Sequence, residues 1–194
     1  KSIRKFTKLK ISIITSVFNG EATLCEAIES VLNQTFTNIE YIIVDGKSTD
    51  ATISIIKSYE HRISKFISEK DTGIYDGINK GIRMATGQIV GILHADDVFA
   101  DNNLLKNVAR EFRNENELDG VYGDLVYTKK NDISTIVRYW KSKSFVKNDL
   151  YFGWMPPHPT LFLKKDIFER FGFYNINYSI SADYEFILRI FTSN

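Results

Sequence analysis

Apolar runs and amphipathic stretches alternate along the chain from Ile11 to Phe112. Ile11–Thr15, Ile39–Val44 and Ile89–Leu93, with a weaker Ile63–Ile67, are short apolar runs typical of strands buried on both faces. The alternation predicts a mostly parallel sheet covered by helices on both sides. The intervening apolar residues that recur at helical spacing are Leu24, Ala27, Ile28, Val31 and Leu32; Ile53, Ile56 and Tyr59; Ile74, Ile78, Ile82 and Ala85; and Leu104, Leu105, Val108, Ala109 and Phe112.

The pattern changes after Asp119. Val121–Thr128 and Ser134–Trp140 are longer and more alternating, which predicts a pair of antiparallel strands. A proline-rich loop at 155–159 precedes a predicted strand at Thr160–Leu163 and a short helix at Asp166–Phe171. The residues expected to share one face of a last helix are Tyr184, Ile187, Leu188 and Phe191.

Composition narrows the class of protein. The 194 residues include 25 Lys or Arg and 24 Asp or Glu, and the net charge of +1 lacks the basic excess of a nucleic-acid-binding protein. A hydrophobic share of 43% indicates a packed core rather than a disordered chain. Cys25 is the only cysteine, so no intrachain disulfide can form and a reducing compartment is expected.

The ends of the chain suggest its organisation. We expect a basic leader at residues 1–9, followed by one domain over residues 10–194 that is cut short at its C-terminus. No apolar run reaches the roughly eighteen residues of a membrane helix. The leader is either solvated or able to touch an anionic membrane surface. The expected location is therefore the cytoplasm, with contact to the inner face of the cell membrane as an extension.

Polar residues follow every predicted parallel strand. The first strand runs into Thr15–Asn19, the second into Asp45, the third towards Asp71 and the fourth into His94–Asp97. Turn closure or helix capping explains each of them singly, but ligands of open α/β sheets bind at this edge. This concentration of carboxylates would repel a bare diphosphate. A phosphate-bearing ligand there therefore requires a divalent cation such as Mg²⁺ or Mn²⁺.

Other phosphate-binding and catalytic motifs are absent from the sequence. No G-x-G-x-x-G follows the first strand, which disfavours a dinucleotide-binding domain. Gly46-Lys47-Ser48 resembles the end of a P-loop, but Tyr41 occupies the position of its first glycine. Neither a Cys/His set with zinc spacing nor a G-x-S-x-G nucleophile elbow occurs.

Several ordered segments resemble the family 2 glycosyltransferases, which have the GT-A fold. The resemblance extends from about Lys10 to the end of the chain, and it implies a three-layer α/β/α architecture with a mostly parallel mixed sheet. The variants at Asp71–Gly81 and His158 are most similar to bacterial enzymes of surface-polysaccharide assembly. The segments that carry the resemblance are Ile13–Asn19, Ile43–Asp50, Asp71–Gly81, Gly87–Asp97, His158–Phe162 and Ser181–Glu185.

The resemblance implies a nucleotide site. Ser16, Phe18 and Asn19 would frame the base, with the Phe18 ring stacked on it, or Phe18 is simply a core residue. Asp45 would accept a hydrogen bond from the base or ribose in addition to its turn role. Asp71 would contact the nucleotide or the sugar, with helix capping as the alternative.

The resemblance also implies a metal and ribose site at Asp96 and Asp97, with the division of roles between them open. Here His94 replaces the first aspartate of the family's Asp-x-Asp region. His94 is either a metal ligand or a histidine hydrogen-bonded to the backbone, and we favour the second interpretation. His158 faces the diphosphate or the metal, or is a structural residue of its loop.

Asp183 matches the catalytic base of the family, although Ala182 precedes it where relatives often carry Glu. A first-turn capping role is compatible with that chemistry. The implied reaction is an inverting transfer. Asp183 would take the proton of an acceptor hydroxyl that attacks a nucleotide-activated sugar, and the cation would offset the leaving diphosphate. A UDP-sugar is the default donor, and a saccharide or lipid-linked molecule is the acceptor.

Three rival functions compete with this interpretation. A sugar-nucleotide pyrophosphorylase needs a glycine-rich basic loop after the first strand, where this chain has Phe18–Thr23 with one Gly and one Glu. A glycoside hydrolase needs two carboxylates that flank a sugar cleft. A non-catalytic nucleotide-sugar-binding module or partner subunit would have lost the base or the metal aspartates, and both are present.

Overall fold

A computed structural model describes residues 9–115, 117–130 and 132–192 of the chain. The predicted basic leader lies outside the described residues except for Leu9. Leu9 is fully buried, and its carbonyl accepts a 2.7 Å hydrogen bond from Asn38 Nδ2. Leu9 therefore belongs to the packed core rather than to a solvated leader.

The described residues form eight strands and six α-helices, in the order expected from the sequence apart from the division of one predicted strand. The strands are β1 (Ile11–Val17), β2 (Ile39–Asp45), β3 (Lys65–Ser68), β4 (Ile89–Ile92), β5 (Gly120–Val121), β6 (Leu125–Lys129), β7 (Asp132–Trp140) and β8 (Phe162–Lys164). The helices are α1 (Leu24–Leu32), α2 (Thr52–Ser58), α3 (Ile74–Met84), α4 (Leu104–Asn114), α5 (Lys165–Phe171) and α6 (Ala182–Thr192). None of the helices in the described part is long and apolar enough to cross a bilayer.

Six strands form one sheet in the order β3-β2-β1-β4-β8-β5. The first four are parallel, and β8 runs antiparallel to both β4 and β5. Ile11 pairs with Ile39 on one side and with Ile89 on the other, so the three central strands start in register. Their carboxyl ends therefore meet at one edge of the sheet.

Side chains of the central strands alternate between two hydrophobic cores. Ile11 and Ile13 point to the core shared with α1 and α4, whereas Ile14 points to the core shared with α3, α5 and α6. This arrangement of helices, sheet and helices confirms the expected three-layer α/β architecture with a mostly parallel mixed sheet.

One predicted strand is wrong in its extent. The run Val121–Thr128 is divided between β5, which pairs with β8 in the main sheet, and β6, which pairs with β7 in a separate two-stranded hairpin. The division falls at residues 122–124. Apolar and polar residues continue to alternate in the sequence across this break. The break is visible only from the different partners of the two strands, β8 for β5 and β7 for β6.

The buried face of α6 also differs from the expected one. Ala182, Asp183, Phe186 and Ile187 are its buried residues, whereas Tyr184 is half-buried. Every residue expected on the buried face except Ile187 is therefore only partly covered. Compared with the expectation, α6 is rotated about its own axis, so that Phe186 faces the core and Asp183 is buried.

A buried hydrogen-bond network ties the strands together where they begin. The Glu40 carboxylate, 7% exposed, accepts hydrogen bonds from Ser12 Oγ at 2.6 Å and from both Thr86 N and Thr86 Oγ1. Lys65 Nζ pairs with it at 2.8 Å. Burial alone would raise the pKa of Glu40, but these partners outweigh it and lower the pKa to about 2.

This network makes stability depend on pH in the acidic range. Because the pKa of Glu40 is lower in the folded chain than its ordinary value of 4.5, its contribution is complete above pH 4.5 and is lost as pH falls towards 2. The full shift corresponds to about 3 kcal/mol, which solvent screening at the one-third exposed Lys65 reduces to about 2 kcal/mol.

We therefore expect the stability difference between wild type and Glu40→Gln to shrink by about 2 kcal/mol between pH 5 and pH 2. Urea denaturation at each pH measures it. The matched change at an exposed position, Glu115→Gln, should leave a difference that is the same at both ends of the range. An equally constant difference for Glu40→Gln would contradict the prediction.

Candidate active site

The loops after β1 and β2 are joined at the carboxyl edge of the sheet. Asn19 has a left-handed backbone with φ of 53°, and its Oδ1 accepts a 2.9 Å hydrogen bond from Thr49 N. In the other direction, Asn19 N donates to Ser48 Oγ at 2.8 Å. Gly20 N donates to Thr52 Oγ1 at 2.8 Å. These bonds fix the backbone that carries Phe18.

A cleft of about 440 Å³ opens at this edge of the sheet. The Phe18 ring is 62% exposed there, which excludes the alternative that it is a core residue. The predicted nucleotide-site residues that line the cleft are Ser16, Phe18, Asn19, Asp71 and Asp96. Additional lining comes from Val17, Gly20, Thr23, Gly73, Ile74, His94 and Ala95.

Asp45 lies below the cleft rather than in its lining. Its side chain is fully buried, and its oxygens accept hydrogen bonds from the backbone N–H groups of Lys47 and Ser48. Ser68 Oγ donates a third at 2.6 Å. The carboxylate therefore closes the turn after β2 and joins it to β3. Because it is fully buried, it offers no surface to a nucleotide, unlike the contact expected from the sequence.

Asp71 is enclosed by two glycines. A side chain at Gly46 would place its Cβ 2.6 Å from Asp71 Oδ2, and a Cβ at Gly77 would collide with Ser16 Oγ. The opposite oxygen, Oδ1, accepts a hydrogen bond from Gly73 N at 3.1 Å. This bond closes a turn before α3, and no side chain of the N-cap residue Gly73 or of Asp71 caps the first turn of the helix, so the cleft position of Asp71 stands without the capping alternative.

Asp96 and Asp97 lie in a turn after β4 that is closed by a 3.1 Å hydrogen bond from Asp97 N to His94 O. Asp96 is exposed to the cleft, and Asp97 is half-buried. Burial raises the pKa of Asp97, His94 opposes the rise, and the charge of Asp96 adds to it. No cation of the described residues pairs with either carboxylate.

These two carboxylates fit a divalent cation. They are adjacent oxygen ligands without a basic partner in the described chain, and the positive charge of a cation would relieve their mutual repulsion. Among residues 9–115, 117–130 and 132–192, no three His, Cys, Asp or Glu side chains form a complete ligand set. A cation here would therefore share its coordination with a ligand such as a diphosphate, the usual situation for Mg²⁺.

Asp183 lies at the start of α6 with both carboxylate oxygens next to other side chains. Tyr75 OH donates a 2.8 Å hydrogen bond to Oδ1, and His158 Nδ1 lies 3.0 Å from Oδ2. The His158 contact is not a hydrogen bond, since Nδ1 is buried without an aligned partner in the described structure. Ser181, two residues earlier, has a strained φ of 67°.

His158 connects Asp183 to the cleft. Its ring meets the His94 ring edge-on, with 5.7 Å between centroids, and His94 lines the cleft. Burial lowers the pKa of His158, Asp183 opposes this effect, and His94 adds to it. His158 was expected at the metal or diphosphate, or as a loop residue, and the structure places it against the predicted base. The His94 ring has no hydrogen bond to described backbone, contrary to the interpretation favoured from the sequence.

Sequence reasoning missed Tyr75. It lies within the Asp71–Gly81 segment, but it is 108 positions from Asp183. Its ring stacks on Tyr174 with 5.7 Å between centroids, and Tyr174 is fixed by two hydrogen bonds to the buried Asn79. Only the packing of α3 against the segment before α6 brings the hydroxyl to the carboxylate. No local signal in the sequence could have found it.

Comparison with known proteins relates this geometry to a family. The model of glycosyl transferase family 2 matches residues 12–172. A "PGL/p-HBAD biosynthesis glycosyltransferase" of Mycobacterium bovis is 31% identical over 185 residues, which cover 94% of this chain and 70% of that protein. The chondroitin synthase of Escherichia coli is 34% identical over 114 residues, or 58% of this chain and 16% of the synthase.

Solved structures show the same fold. TarS 1–349 of S. aureus in complex with UDP-GlcNAc has a TM-score of 0.75 and 20% identity, over 94% of this chain and 53% of that one. The mannosyltransferase PcManGT of Pyrobaculum calidifontis in complex with GDP-Man and Mn²⁺ has a TM-score of 0.71 and 19% identity, over 95% and 52%. The chain thus spans about half the length of these structures. The family match confirms the enzyme class expected from the sequence: the chain belongs to glycosyl transferase family 2.

Proposed function

We propose that the chain transfers a sugar from a nucleotide-diphosphate sugar to an acceptor hydroxyl with inversion at the anomeric carbon. The observation that carries the proposal is the continuous arrangement from the cleft to Asp183. Asp96 and His94 line the cleft, His94 contacts His158, and His158 lies 3.0 Å from the Asp183 carboxylate. A donor site and a base therefore lie on either side of one pair of histidines.

The donor half of the proposal rests on the cleft lining. The exposed Phe18 ring offers a flat apolar surface on which a nucleobase can stack. Because TarS is solved with UDP-GlcNAc and PcManGT with GDP-Man, the fold accommodates both nucleotides. The cleft lining alone does not select between them, so we keep UDP as the default that the family resemblance implies.

The cation half of the proposal rests on Asp96 and Asp97. We assign Asp97 as the metal ligand and Asp96 as a second ligand that also contacts the ribose. A bound Mn²⁺ or Mg²⁺ supplies Lewis-acid stabilisation of the departing diphosphate. PcManGT is solved with Mn²⁺ in the same fold, which supports this assignment.

Asp183 is the base in this proposal. Tyr75 OH occupies Oδ1, whereas Oδ2 accepts no aligned hydrogen bond in the described structure, so Oδ2 is the atom that receives the acceptor proton. The donor hydrogen bond from Tyr75 fixes the plane of the Asp183 carboxylate. His158 Nδ1 lies 3.0 Å from Oδ2, so in this proposal the acceptor hydroxyl approaches Oδ2 beside the His158 ring.

The acceptor and the cellular role extend the proposal. A saccharide or lipid-linked acceptor in bacterial surface-glycan assembly is supported by the similarity to the PGL/p-HBAD glycosyltransferase, which covers 94% of this chain. We place the reaction in the cytoplasm, where an unpaired and exposed Cys25 stays reduced. We assign residues 10–194 to one domain of the catalytic unit, with Leu9 packed in its core.

Titration calorimetry with UDP, GDP and dTDP, each with and without Mn²⁺, tests the donor site. We expect one nucleotide to bind at least 10-fold more tightly with Mn²⁺, and Asp97→Ala to remove that gain because a cation ligand is lost. The exposed control Asp166→Ala should retain it. Failure of all three nucleotides to bind, or an undiminished gain in Asp97→Ala, would contradict the assignment.

Tyr75→Phe tests the positioning of the base. The change removes the hydroxyl at 2.8 Å from Asp183 and keeps the ring that stacks on Tyr174. A hydrogen bond to a charged group contributes about 1.5–3 kcal/mol, so we expect kcat for donor hydrolysis to fall by about 10-fold with KM unchanged. Nucleoside diphosphate release measures both constants. Tyr178→Phe, at an exposed position, is the matched control.

A further inference from the structure

The hairpin of β6 and β7 exposes apolar side chains on both of its faces. In the β6–β7 register, Tyr139 pairs with Val126 and Ile136 pairs with Thr128, so these two side chains share one face and are 57% and 56% exposed. Tyr127 pairs with Arg138 on the other face and is 40% exposed. Ile133 and Val137 lie where the register shifts and are 57% and 58% exposed. The described residues of both strands belong to neither core and pair only with each other. An isolated hairpin is marginal in water, and exposed apolar patches of this kind mark contact surfaces.

The same segment is strongly basic. Residues 125–147 contain six Lys or Arg and one Asp, whereas the whole chain has a net charge of only +1, so the remainder is net negative. All six basic side chains are exposed. Lys129 and Lys130 next to the turn, and Lys147 further along, make no ion pair with described residues. A field of this sign attracts an anionic surface.

We propose that the β6–β7 hairpin docks on an anionic lipid bilayer. A flat protein surface can cover one face of a two-stranded ribbon, but the headgroup layer surrounds a ribbon that lies in it and covers both faces. Tyr127, Tyr139 and Trp140 are aromatic residues of the type that prefers this layer. The charges at the turn stay with the lipid phosphates rather than entering the hydrocarbon.

The base of the hairpin is closed by hydrogen bonds between its own flanks, and it is joined to the segment before β8 because Gly123 N donates to Thr160 Oγ1 at 3.1 Å. Asp124 accepts hydrogen bonds from Tyr139 OH and from Ser142, and Tyr122 OH donates to Lys143 O at 2.7 Å. Further along, Tyr184 OH of α6 donates to Leu150 O at 2.9 Å. The docked hairpin would therefore hold the base-bearing helix near the bilayer. That consequence rests on the proposed function, whereas the docking does not.

Vesicle flotation tests the docking with two probes. One is phosphatidylcholine alone, and the other is phosphatidylcholine with about 30% of the anionic lipid phosphatidylglycerol. We expect at least 10-fold stronger partitioning to the anionic vesicles and a loss of most of it at high salt. Lys129→Glu with Lys130→Glu should weaken it by at least 10-fold, and Ile133→Ser with Val137→Ser by about 5-fold. Equal binding to both vesicles would overturn the proposal.

Two controls separate the hairpin from other basic sites. Lys57→Glu with Lys106→Glu changes the same charge at exposed helical positions and should leave partitioning within about 2-fold. Lys5→Glu with Lys8→Glu changes the N-terminal segment. If only this N-terminal variant loses binding, the proposal is wrong. The same holds if the wild type instead binds RNA or self-associates without binding vesicles.

A spectroscopic measurement reports the depth of contact. In a Trp154→Phe background, Trp140 of β7 is the remaining tryptophan. Its emission should shift to shorter wavelength with anionic vesicles and be quenched by brominated lipid. An unchanged spectrum under conditions where the protein floats would show that another surface binds, and would overturn the proposal. Circular dichroism confirms that each variant is folded.

Discussion

Asp183→Asn is expected to lower the rate of sugar transfer by about 1,000-fold, since general-base catalysis contributes about 10²–10⁴. Asparagine keeps the size of the side chain and can still accept the Tyr75 hydrogen bond, but it cannot take up a proton at Oδ2. Hydrolysis of the donor by water uses the same base and requires no acceptor. Nucleoside diphosphate release from the nucleotide sugar therefore measures the loss directly.

The interpretation of this variant depends on intact donor binding. Because Asp183 is separated from the cleft by His158 and His94, the affinity for the nucleotide with Mn²⁺ should change by less than about 2-fold. Asp166→Asn makes the same chemical change in the first turn of α5, at an exposed position, and should keep full activity. A residual rate above one tenth of the wild type would exclude Asp183 as the base.

Phe186→Ala is expected to destabilise the fold by about 3–5 kcal/mol. The ring is fully buried, stacks on Phe168 with 5.2 Å between centroids, and contacts Tyr174 at 4.8 Å with the two rings tilted by 45°. Removing it leaves a cavity between α5, α6 and the preceding segment. Total stabilities of domains are about 5–15 kcal/mol, so this loss is a large share. Urea denaturation at pH 7 measures it.

Two further variants identify the cause of the expected loss. Phe186→Leu fills part of the cavity and should recover about half of the stability. Phe152→Ala removes the same ring at a position that is 89% exposed and should change the free energy of unfolding by less than about 0.5 kcal/mol. A loss below 1 kcal/mol in Phe186→Ala would show that the aromatic cluster is not a stability determinant.

The central sheet could be predicted from the sequence because its signals are local. The parallel strands β1, β2 and β4 are buried on both faces and read as continuous apolar runs, whereas β3 is half-buried and gives a weaker run; each helix between them has one apolar face. Phe186 shows where this reasoning fails. The sequence around it is apolar in most positions, so periodicity alone did not settle which side of α6 faces the core. The contacts of Phe168 and Tyr174 with the Phe186 ring settle it.

The cleft followed from strand topology, whereas the surroundings of the base did not. Ser16, Phe18, Asn19, Asp71 and Asp96 were predicted because parallel strands bring their carboxyl ends together. Asp45 follows the same rule and is nevertheless buried, since the turn after it folds back and uses its oxygens. Contacts between distant segments, such as Tyr75 with Asp183, depend on packing that no short window of sequence contains.

The polar network around Glu40 lies where the strands begin, and the cleft lies where they end. Acidic groups that stabilise the fold are therefore separated by the length of the sheet from those proposed to act on substrate. Substitutions in the loops around Phe18 and Asp96 can therefore accumulate without disturbing the hydrogen bonds of Glu40 with Ser12 and Thr86. Homologues that differ in donor preference would then keep the thermal stability of the fold.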